Sequence, residues 1–139
     1  KEGKLALDDR LIRHLPDYPD RAIAEKITLE QLLAHRSGLG DIFNERFTPE
    51  TATQLRTLAD HLPLFTGKPL QFEPGTDQRY SNAGYVVLGL VVERATGKSF
   101  ADVAYERIFV PAAMPASAEY EVCRCVSPKY TRFGKVLVG

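Results

Sequence analysis

The chain of 139 residues carries 18 basic and 18 acidic side chains, so its formal net charge at pH 7 is zero. Hydrophobic residues make up 44% of the sequence and charged residues 26%, which is typical of a globular domain with a modest core. No basic run is present, which argues against a nucleic-acid partner, and no stretch reaches the ~18 apolar residues of a membrane-spanning helix.

The first 26 residues give only weak helical signals. Leu11 and Leu15 stand four positions apart, so we predict a short helix that begins near Asp8-Asp9 and ends at Pro16. Charged and small side chains alternate from residue 17 to residue 26, a pattern that indicates a linker.

The first clear helix begins at Thr28. Thr28 and Gln31 match the capping box, in which each side chain bonds to the other residue's backbone N–H. Gly38 is predicted to end this helix. His35 and Ser37, which lie at its end, admit two interpretations: a catalytic base with its nucleophile, or a helix-terminal histidine that donates to free carbonyls beside a turn serine. We favour the second.

Residues 39–47 are predicted to form a loop, and a second helix follows it. Thr48-Pro49-Glu50 combines an N-cap, a proline at the first helical position and an acid in the first turn. An apolar face continues to Leu62, and Pro63 is predicted to close the helix. Residues 64–79 are expected to be extended or looped.

The most informative stretch begins at the Pro74-Gly75 turn and continues as Tyr80-Ser81-Asn82 into an apolar helix. Ser81 or Asn82 can cap the helix, and Gly97 stands where a left-handed terminal residue belongs. The helix is apolar nearly all round and is therefore predicted to be buried. Gly84 and Gly89 within it predict a closely packed neighbouring backbone.

Tyr80, Ser81 and Asn82 have two interpretations of similar weight. They can serve only to cap the helix, or they can face a ligand from a helix N-terminus, which carries about half a positive charge. An asparagine in that place offers both a donor and an acceptor.

The C-terminal part gives weaker signals. Ser99 and Asp102 repeat the capping pattern, and Pro111 and Pro115 are expected to end the helix that they begin. The tail, residues 116–139, predicts one or two short strands. Cys123 and Cys125 stand too close for a disulfide framework and are interpreted as free thiols.

Several of these motifs together resemble one family. Phe72-x-Pro74-Gly75-Thr76 followed by Tyr80-Ser81-Asn82-x-Gly84-Tyr85 resembles the second active-site motif of the serine β-lactamase-related family, which comprises class C β-lactamases, D-alanyl-D-alanine carboxypeptidases and esterases. Residues 27–39, residues 93–100 and Ile108-Phe109-x-Pro111 are similar to the segments around that motif. The resemblance covers roughly residues 1 to 115, in the family's order.

The resemblance implies a mainly α chain: the helical domain, with the start of the sheet return, of the β-lactamase/transpeptidase-like α+β fold. Residues 1–139 would form a single partial domain, with the end of an incoming helix and a linker in 1–26 and the helical subdomain in 27–115. Faces that the sheet domain would cover are expected to be exposed, which predicts marginal stability and self-association.

The resemblance also implies residue roles. It assigns Tyr80 to the proton transfers of acylation and deacylation, and Asn82 to contacts with the substrate's amide carbonyl and the catalytic lysine. Ser81 occupies the variable middle position and is expected to act as a cap.

Two of the family's three motifs are missing from the printed sequence. None of the five serines is followed three positions later by lysine, so the Ser-x-x-Lys nucleophile is absent, as is the third motif. We expect a fragment of a serine hydrolase acting on β-lactams, D-alanine peptides or small esters, inactive alone and without a metal or organic cofactor. The alternative is a non-catalytic binding or interaction module of the same fold. Nothing in the sequence assigns a compartment.

Overall fold

The computed structural model describes residues 3–114, which form seven short α-helices and no strand beyond a single antiparallel bridge between Arg10 and Thr28. The predicted strands of residues 116–139, together with Cys123 and Cys125, lie outside the described residues. The helices are α1 (Leu11–His14), α2 (Arg21–Lys26), α3 (Leu29–Leu33), α4 (Pro49–Gln54), α5 (Leu62–Phe65), α6 (Asn82–Thr96) and α7 (Phe100–Ala104). A 3-10 turn (Ala59–His61) precedes α5, and a π-helical turn (Tyr105–Phe109) follows α7.

The longest helix, α6, has the two ends that the sequence predicted. The Ser81 side chain accepts the Gly84 N–H at 3.3 Å, and Gly97 ends the helix in the left-handed conformation with φ 69°. Its buried face presents Ala83, Val87 and Val91 to the core. The prediction of burial all round is wrong, because Tyr85 is half exposed. One face of α6 is fully buried, and Val86, Leu88 and Leu90 beside it are partly buried against the core.

Helix α3 packs against α6 and carries the predicted capping box. The Thr28 side chain accepts the Gln31 N–H at 3.2 Å, and the Gln31 side chain accepts the Thr28 N–H at 3.0 Å. A Cβ on Gly84 would lie 3.5 Å from the Leu32 carbonyl oxygen, so the close backbone approach predicted there is confirmed.

At Gly89 the neighbour is different from the one expected. A Cβ there would lie 2.6 Å from the Leu58 side chain, so a leucine methyl group and not a backbone fills the space. Close packing at this position is therefore confirmed, whereas its predicted cause is wrong.

The linker predicted for residues 17–26 is wrong, because α2 occupies most of it. Asp20 caps this helix by accepting the Ile23 N–H at 3.2 Å, and Ala24 is fully buried. A short helix with one small buried residue leaves little periodicity in the sequence, so the alternation of charges was a misleading signal.

The single helix predicted from residue 49 to residue 62 is also wrong. Helix α4 ends at Gln54, and the Asp60 carboxylate accepts the N–H groups of Arg56 and Thr57 at 2.8 and 2.7 Å. Those bonds to a side chain replace helical bonds and start a new turn. Pro63 lies in the first turn of α5, where its missing N–H costs nothing, instead of closing a helix.

A buried carboxylate holds the N-terminal segment in place. Asp9 accepts the Ala6 N–H at 2.9 Å, contacts Nε2 of His14 at 2.8 Å and pairs with Arg13. The Ala6 N–H, followed by His14, keeps the pKa of Asp9 below its ordinary value. The backbone carbonyl oxygen of Asp9 accepts the Leu29 N–H at 3.1 Å, which connects the N-terminal segment to α3.

Several large apolar side chains point outwards, and that a sheet domain would cover them stays a prediction. Within residues 3–114 they include Leu7, Ile108, Val110 and Met114, all at least half exposed. The self-association that we expected from such a surface stays a prediction. None of the helices in this part of the chain has the length and apolarity needed to cross a bilayer.

Two glycines adopt the left-handed conformation, and only one of them is crowded by a neighbouring backbone. Comparing alanine substitutions at the two positions therefore separates the cost of the left-handed conformation from the cost of a steric clash. A Cβ on Gly38 (φ 77°) would lie 2.2 Å from the Phe72 carbonyl oxygen, whereas one on Gly97 (φ 69°) would meet nothing within 4 Å. We expect Gly97→Ala to lower the free energy of unfolding by about 1 kcal/mol, the cost of the left-handed conformation. Gly38→Ala should cost about 3 kcal/mol or more, because a backbone atom must also move. Equal losses in urea denaturation would contradict this reading.

Candidate active site

Two segments that are far apart in sequence lie side by side, and the second of them leads directly into α6. The first is the loop at residues 34–41 and the second is residues 71–82. Three backbone hydrogen bonds of 2.8–2.9 Å join them: Gln71 N–H to Gly38 O, Gly75 N–H to Arg36 O, and Arg79 N–H to His35 O. The Arg36 side chain also donates to the Gly75 carbonyl. We refer to this set of contacts as the clasp.

Tyr80 emerges from the clasp into solvent. Its side chain is 68% exposed, and its hydroxyl donates to Oδ1 of Asn82 at 3.1 Å. The structure therefore brings together the two side chains, Tyr80 and Asn82, that the sequence singled out as a site.

Ser81, between them, points into the protein. Only 3% of it is exposed, and its hydroxyl donates to the Gly40 carbonyl at 2.8 Å while accepting the Gly84 N–H. Since the hydroxyl is fully engaged, Ser81 acts as the helix cap that the sequence predicted and is poorly placed to be a nucleophile.

Asn82 is held by a carboxylate. Its backbone N–H donates to Asp41 Oδ2 at 3.1 Å, and its side-chain Nδ2 lies 3.2 Å from both oxygens of that carboxylate. The amide nitrogen therefore faces inward and the amide oxygen faces Tyr80. Asn82 follows the cap of α6, so Asp41 also places a negative charge at the positive end of the longest helix.

The environment keeps Asp41 ionised. Burial has the largest influence on the pKa of Asp41 and acts to raise it, but hydrogen bonds from Asn82 and from the backbone N–H groups of Phe43 and Ile42 together lower the pKa below its ordinary value. The net result is a carboxylate that accepts hydrogen bonds and donates none.

His35 takes neither of the roles weighed from the sequence. It stands in the left-handed region with φ 57°, and its Nδ1 accepts the backbone N–H of Ser81 at 3.3 Å. Its ring lies between those of Tyr80 and Tyr85, with centroids 4.7 and 5.1 Å away. The favoured interpretation, a histidine that donates to free carbonyls, is therefore wrong: His35 supports the second segment as an acceptor.

Ser37 is only 2% exposed, and its hydroxyl accepts the Leu39 N–H at 3.3 Å. It belongs to the turn, as expected, and the alternative in which Ser37 is a nucleophile activated by His35 gains no support from its burial or its partner. Neither serine near the site presents a free hydroxyl.

Asp41 was missed by the sequence analysis, which treated residues 39–47 as an ordinary loop. It lies 41 residues before Asn82, so no local spacing reveals the contact. The only available hint was an acidic residue directly after the Gly38-Leu39-Gly40 turn. Within residues 3–114, no group of three histidine, cysteine or acidic side chains is arranged to hold a metal ion.

Comparison with solved structures defines the class of fold. A D-stereospecific amidohydrolase from a Streptomyces species superposes with a TM-score of 0.71 at 28% identity, over 81% of this chain and 36% of its own. D-amino acid amidase from Ochrobactrum anthropi SV3, in complex with L-phenylalanine amide, gives a TM-score of 0.67 at 34% identity, over 81% and 31% of the two chains. Structures of this kind have the β-lactamase/transpeptidase-like fold.

Comparison of sequences defines the family. The Beta-lactamase family profile matches residues 1–118, and penicillin-binding protein 4* of Bacillus subtilis (strain 168) is 33% identical over 131 residues. This chain belongs to the Beta-lactamase family, which confirms the resemblance to the serine β-lactamase-related proteins. The aligned part covers 93% of this chain but 28% of the Bacillus protein, so the chain spans about a third or less of the relatives it matches.

The role of His35 can be tested through its conformation and its acceptor. His35→Asn should be mild, because asparagine tolerates the left-handed region and its Oδ1 can replace Nδ1 as the acceptor. His35→Ala loses both advantages and leaves the Ser81 N–H unpaired, so we expect it to lower the free energy of unfolding by about 2–4 kcal/mol. Urea denaturation of both variants measures the difference. An alanine variant as stable as the asparagine variant would count against the acceptor role.

Proposed function

We propose that this chain is the helical part of a serine hydrolase that acts through an acyl-enzyme, with β-lactams or amides of D-amino acids as its substrate class. D-alanine peptides and small esters remain within the same chemistry. The observation that carries the proposal is the hydrogen bond between the exposed Tyr80 and the partly buried Asn82 at the start of α6. The relatives supply the class: a penicillin-binding protein and two enzymes named for D-stereospecific or D-amino acid substrates.

Tyr80 would accept and donate protons during acyl transfer. Acyl transfer needs a group that takes the proton of the attacking hydroxyl and returns it to the leaving group. The phenol is exposed, packs against the ring of His35 and donates to Oδ1 of Asn82. Together these features place a single polar group in a defined position at a solvent-facing surface.

Asn82 would orient the substrate. Its Oδ1 is available to accept from a substrate N–H or from an ammonium group, in addition to the Tyr80 hydroxyl. Its Nδ2 faces inward and lies 3.2 Å from both oxygens of Asp41, so Oδ1 is the amide atom that Asn82 offers to a substrate. The residue can therefore bind an N–H or ammonium group of the substrate.

The nucleophile would come from a part of the protein other than this chain. Ser37 and Ser81 are buried and engaged, and no serine in the sequence precedes a lysine by three positions. We therefore propose that the 139 residues alone have no acyl-transfer activity, and that Tyr80 and Asn82 complete a site whose serine and lysine lie elsewhere in a longer polypeptide.

A non-catalytic module is the second candidate, favoured by the absence of two of the three family motifs from the sequence. In that case the same surface would bind a peptide or cell-wall fragment without reacting. The two candidates differ in one respect that can be measured, because only an enzyme becomes covalently acylated.

Intact-mass measurement separates them. We expect no mass shift when this chain is incubated with a reactive penicillin or an activated ester, and a stoichiometric adduct when the full-length protein is treated in the same way. An adduct on the 139-residue chain would show that a nucleophile has been overlooked. A full-length protein that never forms an adduct but binds the ligand would favour the non-catalytic module.

Tyr80→Phe in the full-length protein removes one hydroxyl and keeps the ring against His35. We expect the acylation rate to fall by about 10²- to 10⁴-fold, the usual contribution of a general acid–base group, with little loss of stability. Tyr105→Phe is the matched control, because Tyr105 is a partly exposed tyrosine that follows α7, whereas the partners of the Tyr80 side chain are Asn82 and His35. Equal rates in the two variants would remove Tyr80 from the mechanism.

A further inference from the structure

We propose that Asp41 is a positioning residue, whose carboxylate fixes the side-chain amide of Asn82 with its oxygen outward and its nitrogen inward. The catalytic consequence of this inference rests on the proposed function, whereas the orientation itself does not. Asp41 thereby sets which hydrogen-bonding groups the site offers, although it would touch neither the substrate nor Tyr80.

Asp41 and Asn82 contact each other through both the backbone and the side chain of Asn82. Three contacts join the Asp41 carboxylate to Asn82: one with the backbone N–H at 3.1 Å, and two with Nδ2 at 3.2 Å. The Phe43 N–H also donates to Oδ1 of Asp41 at 3.1 Å, a bond within the loop itself. The carboxylate is therefore held by its own loop while it holds the first residue of the helix.

A carboxylate controls the amide because it has no hydrogen to donate. The Asn82 amide has two ends of similar shape, and a neighbour that both donates and accepts would stabilise either orientation. An ionised Asp41 accepts from the nitrogen end and repels the oxygen end. Its lowered pKa means that this selection holds throughout the neutral range.

The selected orientation has a chemical consequence for the site. With Oδ1 outward, Asn82 accepts from Tyr80 and presents an acceptor to the ammonium or N–H group that approaches next. If the amide rotated by half a turn, Nδ2 would face the Tyr80 hydroxyl and an incoming cation would meet a donor. The polarity of the surface at Asn82 thus depends on the partly buried carboxylate of Asp41.

Asp41→Asn tests the inference because it keeps the size of the side chain and adds a donor. The Asn82 side-chain NH₂ signals in the ¹⁵N spectrum of this chain should move or double, as both orientations become populated. In the full-length protein, the misplaced Asn82 amide should lower the acylation rate constant by about 10- to 100-fold. The half-saturation concentration of the substrate should change by a smaller factor.

Asp60→Asn is the matched control. Asp60 lies in the 3-10 turn before α5, and its carboxylate also accepts two backbone N–H groups, those of Arg56 and Thr57, but it does not contact Asn82. It should lower stability to a degree comparable with Asp41→Asn while leaving both the Asn82 signals and the acylation rate unchanged.

A titration of the unmodified chain keeps the test independent of any variant's stability. The donors that face Asp41 are the neutral groups of Asn82, Phe43 and Ile42. The Asn82 NH₂ signals should therefore stay constant across neutral pH and shift only as the pH falls below the ordinary carboxyl range, where Asp41 gains its proton. Asn82 NH₂ signals that stay unchanged while the pH falls through the acid range would overturn the assignment to Asp41.

The outcomes separate this inference from the proposed function. If Asp41→Asn leaves the Asn82 signals in place, the inference is overturned whatever the kinetics show. If the signals move and the full-length protein forms no acyl adduct in any variant, the orientation by Asp41 stands and the proposed function fails. Moved signals with an unchanged acylation rate would overturn the catalytic part alone.

Discussion

The geometry of the site depends on one loop that holds the N-terminal end of α6 through three hydrogen bonds to two successive residues, Ser81 and Asn82. His35 accepts the Ser81 N–H, Gly40 accepts the Ser81 hydroxyl, and Asp41 accepts from Asn82. These bonds satisfy backbone groups at a helix start that would otherwise require water. Because each bond joins positions more than 40 residues apart, the start of α6 is fixed by tertiary contacts and not only by its own cap. An exposed tyrosine can then occupy a defined position without being buried.

The features that the sequence predicted well are local ones. The capping box at Thr28 and the two ends of α6 follow from residue types within one helical turn, so short-range patterns are sufficient to find them. The break between α4 and α5 was missed because the apolar positions remain compatible with one helix. Only the Asp60 side chain, which bonds to the backbone of Arg56 and Thr57, shows that a new turn starts there.

The candidate site divides in the same way. Tyr80 and Asn82 were identified through a motif, since they are two positions apart and lie at a predictable helix start. Asp41 and the acceptor role of His35 could not be predicted, because both depend on how a loop folds back on a segment about 40 residues later. His35 also has a positive φ, which is uncommon for histidine and is not signalled by the neighbouring sequence. The residues that support the site therefore cannot be identified from a single sequence.

The backbone at Ser81 explains why the two functional side chains are separated by one residue. Ser81 is extended, with φ −148° and ψ 120°, and in an extended chain successive side chains point to opposite sides. Tyr80 and Asn82 consequently share one side, which allows the 3.1 Å bond between them, while Ser81 is directed into the protein. The middle residue must be small enough to be buried and polar enough to cap α6, and serine meets both needs. A helical backbone at this point would have separated Tyr80 from Asn82, so the cap that starts the helix also creates the pair.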